Sequence, residues 1–69
     1  MEMVGLREIR KKKQYSQLKV AMALSISREA LSLYETGKRS PDVDMLVRLS
    51  QYFNVSIDYL ITGKEFQSE

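Results

Sequence analysis

Between Ser16 and Pro41 the chain reads SQLKVAMALSISREALSLYETGKRSP, and this stretch gathers the side chains with most to offer a ligand. Arg28 and Glu29 stand side by side, with Ser32 and Leu33 one helical turn further on. Together they supply a guanidinium fork, a carboxylate acceptor, a hydroxyl and an apolar end. An arginine can bond guanine O6 and N7 at once, a glutamate can accept from cytosine N4, and a leucine can meet a thymine methyl. Lys38 and Arg39 follow as adjacent cations, and cations beside a groove-reading helix lie where phosphates pass. Plainer readings stand beside these. Arg28 and Glu29 are also what a solvated first helical turn carries, Leu33 is also an exposed leucine that needs no explanation, and Lys38 with Arg39 is also a soluble turn.

Presenting these residues from one surface requires short helices joined by tight turns, and the pattern predicts five helices and no strand. The first runs from about Val4 to Lys13, with Leu6 and Ile9 inward and cations in its last turn. Ser16 caps a second, in which Val20, Ala21 and Leu24 share a face. Ser27 caps a third, where Ala30, Leu31 and Tyr34 recur at inward spacing, which leaves Arg28, Glu29, Ser32 and Leu33 outward. Gly37 can take the positive φ that stops this helix. Pro41, with Asp42 and Asp44, starts a fourth in the way the helix dipole favours. Val43, Leu46, Leu49 and Phe53 are expected on its core face. Asn54 is a left-handed stop, Ser56 caps a last short helix with Ile57 and Leu60 inside, and Gly63 closes it. The expectation is one all-α domain over 1–69, its core about 4–63 and a loosely held tail at 64–69.

Composition narrows the chemistry. The 69 residues include no cysteine and no histidine, which removes thiolate sites, disulfides, the commonest metal ligand and the commonest general base. No metal set and no cofactor motif is left, and an enzyme would have to work with carboxylates and lysines spread over solvated faces. No apolar run reaches membrane-spanning length and no signal-peptide core opens the chain, so a cytoplasmic location is expected. The net charge of +2 is unevenly placed: residues 1–40 carry a balance of +5 and residues 41–69 a balance of −3. The first part suits a polyanion. The Arg10–Lys13 run is equally a solvated helix end whose cations complement the dipole.

Ser16-Gln17, Ala21 and Leu24, then Ile26-Ser27-Arg28, then Ser32, Glu35, Gly37-Lys38-Arg39 and Pro41, then Leu46, Leu49 and the run Phe53 to Leu60 form one spaced set. The set resembles the Cro/CI-type (XRE family) helix-turn-helix domains of phage repressors and their bacterial relatives, over about Leu6 to Gly63. The resemblance implies a five-helix, lambda-repressor-like fold with the helix-turn-helix at helices 2 and 3. It implies that Gln17 grips a backbone phosphate and can buttress the recognition helix. Ser27 belongs at the entry to that helix, Arg28, Glu29, Ser32 and Leu33 at the base edges, and Lys38 and Arg39 on the phosphates. It also implies that Arg10 and Glu35 form a structural ion pair that fixes the angle of the recognition helix and takes no part in DNA contact. Three positions depart from the family pattern. Ser25 and Gln14 stand where glycine is frequent, so Ser25 either adopts a left-handed conformation, at about 1 kcal/mol, or alters the turn. Leu18 replaces a polar residue and is either exposed or covered.

The function these residues imply is a sequence-specific DNA-binding transcriptional regulator, a repressor that occupies the major groove of double-stranded DNA with a helix over about 28–35. A domain this small covers few base pairs, which argues for a homodimer, with Tyr52, Tyr59, Ile61 and Phe66 as candidate contacts. Incomplete burial in a small domain accounts for those residues equally well. The alternative is an interaction module of the same fold, such as an antitoxin.

Overall fold

Side-chain oxygens start four of the five helices. In the computed structural model, which describes residues 1–65, the helices are α1 (Val4–Lys12), α2 (Gln17–Leu24), α3 (Arg28–Thr36), α4 (Val43–Phe53) and α5 (Ile57–Thr62). Among the described residues there is no strand. Ser16, Ser27, Asp42 and Ser56 are the N-caps of α2 to α5, and each accepts from the backbone N–H three residues on, at 2.8 to 3.0 Å. A lost cap of this kind costs about 1 kcal/mol, so four of them matter in a domain this small. The helix α1 instead follows Met3, which makes no cap bond and is fully buried in the core.

The stops are left-handed. Ser25, Gly37, Asn54 and Gly63 end α2 to α5 with φ of 58°, 81°, 56° and 76°. Gln14, two residues past α1, has φ 61°. Ser25 therefore takes the strained conformation and keeps the ordinary turn: its N–H bonds the Met22 carbonyl at 3.2 Å, and that of Ile26 bonds Ala21 at 3.0 Å. Leu18 is 56% exposed, so the exposed alternative holds there.

Met3, Leu6, Ile9, Val20, Leu24, Leu31, Leu49, Phe53 and Leu60 form the core. Each such side chain contributes about 1.5–3 kcal/mol by leaving water. Val43 does not join them. It is 74% exposed, because it is the first residue of α4 and its turn precedes the stretch that crosses the core; Met45 and Leu46 pack there instead. Pro41 is buried ahead of the cap and does not open the helix. Gly5 is the contact point of α1 on α5, where a Cβ would overlap the carbonyl of Tyr59. This close approach brings the first and last described helices together and makes them a frame for α2 and α3.

Candidate nucleic-acid interface

The turn Ser25–Ser27 joins α2 to α3 with only three residues, and its left-handed first residue sets the two helices against each other. Leu31 on α3 and Val20, Ala21 and Leu24 on α2 are buried between them and the frame. The opposite side of the pair is concave. Gln17 from α2 and Arg28, Glu29, Ser32 and Leu33 from α3 line one depression of about 280 Å3. Arg28 and Glu29 are exposed at its rim, whereas Ser32 and Leu33 are half-buried. The outward placement expected of all four thus holds fully only for the charged pair. Gln17, at the start of α2, lines the same depression as Ser32 and Leu33, a neighbour that helical periodicity within α3 cannot register.

Ser27 lies outside this lining. Its Oγ accepts from the Ala30 N–H at 2.9 Å, which leaves the hydroxyl proton free to donate. Lys38 and Arg39 are exposed in the turn after α3, and their backbone N–H groups both return to the Leu33 carbonyl, at 3.0 and 3.2 Å. Gly37 makes that turn possible twice over: its φ is left-handed, and a Cβ there would come within 2.8 Å of the Glu2 backbone. Two exposed cations on a hydrogen-bonded turn at the end of the helix that carries these donor and acceptor groups are suited to a polyanion whose edges carry information.

A buried carboxylate lies behind the depression. Glu35, 4% exposed, accepts from Arg10 Nε at 2.6 Å and Nη2 at 3.2 Å, and from Gln17 Nε2 at 3.1 Å. Arg10 Nη1 also donates to the Tyr15 carbonyl at 2.9 Å. The ion pair spans α1 and α3, and Gln17 carries it to α2, so three helices meet on one carboxylate. No buried side-chain polar atom among the described residues lacks a partner. One further tie has no sequence signal of its own: Arg48 of α4 donates to the Leu24 carbonyl at 2.8 Å, capping the end of α2.

Of the C-terminal apolar residues, Tyr52, Tyr59 and Ile61 are half-buried and packed on the core, while Phe66 lies outside the described residues. No described helix is long and apolar enough to cross a membrane.

Two helices joined at a left-handed turn, the second opening with polar side chains, define a helix-turn-helix unit. A family model described as Helix-turn-helix matches residues 6–60, and the chain belongs to that family. It is 41% identical over 69 residues to the uncharacterized HTH-type transcriptional regulator YqaE of Bacillus subtilis, covering 94% of this chain and 60% of that protein. It is 47% identical over 60 residues to the HTH-type transcriptional regulator ImmR of the same organism, covering 87% of this chain and 46% of that protein. Against the HTH-type transcriptional activator BcrR of Enterococcus faecalis the identity is 38% over 60 residues, covering 87% of this chain and 29% of that protein. The chain spans less than two thirds of the length of each of these relatives.

Proposed function

We propose that this chain is the sequence-reading unit of a transcriptional regulator and acts as a repressor by occupying the major groove, without chemistry of its own. The observation that carries the reading is the shared depression. Side chains able to pair with guanine and cytosine edges, Arg28 and Glu29, line a concave surface with Gln17, Ser32 and Leu33, and the exposed cations Lys38 and Arg39 follow in the turn after the same helix. In this reading Arg28, Glu29, Ser32 and Leu33 face base edges, Ser27, Lys38 and Arg39 meet phosphates, and Gln17 does so while held by Glu35.

A single reading helix contacts too few base pairs for useful affinity at cellular salt, so the working unit is a homodimer in the cytoplasm. Tyr52, Tyr59 and Ile61 are the partly covered apolar side chains available for that contact. Two-fold symmetry then places the recognition helices about 34 Å apart.

Selection from random duplex DNA followed by affinity measurement across salt tests the reading. The expected result is a two-fold motif and a fall in log K with log salt whose slope is about −0.9 for each phosphate neutralised. Failure to enrich any sequence, with no salt-dependent binding, would overturn it in favour of a protein-interaction module.

A further inference from the structure

We propose that the exposed faces of α2 and α4 are the two halves of a head-to-tail contact between copies of this chain, the α2 face of one copy seating on the α4 face of the next. None of the residues concerned lines the depression, so the contact is separate from the DNA-binding reading.

The two helices present the same constellation with opposite charge. Leu18-Lys19-Val20-Ala21-Met22 on α2 and Val43-Asp44-Met45-Leu46-Val47 on α4 each read apolar, charged, two residues packed in the core, apolar. In each the two outer apolar residues are four apart and so share a face, and the charged residue stands three from the second of them. All four outer residues are exposed, and Met22 at 71% and Val43 at 74% are the most exposed large apolar side chains among the described residues. Lys19 is the one charged residue of α2. On α4 the other charged residue, Arg48, is half-buried and committed to the Leu24 carbonyl, which leaves Asp44 as the exposed charge.

The occupant follows from the signs. A two-fold contact of either face with itself would set Lys19 near Lys19 or Asp44 near Asp44, whereas crossing the faces pairs the cation with the acid and the apolar residues with each other. The balances of +5 over residues 1–40 and −3 over 41–69 favour the same orientation at longer range. Lys19 Nζ is held 4.9 Å from the centre of the Tyr15 ring, which lowers the entropy lost on pairing it. Two patches of this size fall well short of the roughly 800 Å2 per partner of a standard interface, so the contact is weak and works where copies are crowded. It does not close on itself, and each end of a row keeps one free face.

The test uses the intact chain, which has no cysteine, so Gln51→Cys carries a single nitroxide four residues beyond Val47. Spin-labelled copies are mixed with isotope-labelled copies that carry no nitroxide, and amide broadening is followed by NMR as concentration rises. The expected result is broadening of Leu18, Lys19 and Met22, with the α4 amides spared. Lys19→Glu and Asp44→Lys should each weaken self-association by about three- to tenfold, the loss of an exposed ion pair together with the like-charge contact that replaces it. An equal mixture of the two variants should recover it, because each then meets its opposite, and a variant damaged in its fold could not be rescued in this way. Broadening of the α4 amides instead, no broadening at any concentration, or a mixture no stickier than either variant alone overturns the proposal. These readouts need no duplex, so each of those outcomes leaves the DNA-binding reading standing.

Discussion

Replacing Arg10 by methionine keeps the aliphatic bulk and removes the charge opposite a carboxylate whose side chain is 3% exposed. Glu35 loses two of its three donors and is left with the Gln17 amide at 3.1 Å. Removing one partner of a buried pair costs about 3–5 kcal/mol, because the remaining charge stays desolvated without compensation. The lost bond to the Tyr15 carbonyl adds about 1 kcal/mol. A domain of this size has a total stability of about 3–10 kcal/mol. Arg10→Met is therefore expected to be partly or wholly unfolded at room temperature. The companion variant, Arg10→Met with Glu35→Leu, exchanges the pair for apolar groups of similar volume and should fall within about 1–2 kcal/mol of the parent. Urea denaturation followed by far-ultraviolet circular dichroism measures both, with unchanged m-values as the check that the unfolded state is unaltered. A single variant within about 1 kcal/mol of the parent would refute the reasoning, since it would mean that Glu35 has access to water or to another donor. The stable double variant has a second use: with the angle of α3 released, its operator affinity should fall while its base preference stays the same.

Ser25→Gly relieves the left-handed strain at φ 58° and should raise stability by up to about 1 kcal/mol, less the entropy glycine adds to the unfolded chain; a lower melting temperature would contradict this. Gly5→Ala drives a methyl group into the Tyr59 carbonyl and should cost about 3 kcal/mol or more, read as a lower urea midpoint. Arg28→Ala should weaken operator binding by about 1–3 kcal/mol and relax preference at one position, leaving random duplex much less affected. Lys38→Ala should weaken all sequences alike and reduce the salt slope by about one, a contrast that titrations on operator and random duplex resolve.

What the sequence made legible was local. Ser16, Ser27 and Ser56 announce helix starts because a short hydroxyl ahead of an apolar run has a specific bond to make, and Gly37, Asn54 and Gly63 announce stops because the left-handed region admits few residues. Val43 was misplaced for the opposite reason: periodicity gives a phase but not where along the helix the core begins. Met3 and Gly5 carried no recognisable signal, since a methionine before a helix and a glycine within one acquire meaning only when a distant helix arrives. In the site, the residue types named the possible bonds at once. The half-burial of Ser32 and Leu33, and the bond from Gln17 to Glu35, needed α2 and α3 in place.

The close approach at Gly5 also bears on the order in which the protein can be made. The seat of the first helix is the carbonyl of Tyr59, in the last described one. A ribosome delivers α1, α2 and α3 long before that seat exists, and α2 with α3 can meet early because their contacts are close in sequence. They then wait as a hairpin without a frame. Met3 and Leu6 remain without Leu60 until α5 has emerged, and the final closure joins residues more than fifty positions apart. In a synthesis halted before Ile57, Arg10, Gln17 and Glu35 would all be present, but Gly5 would lack its seat and the core its Leu60, so the frame behind α2 and α3 is completed only when α5 emerges.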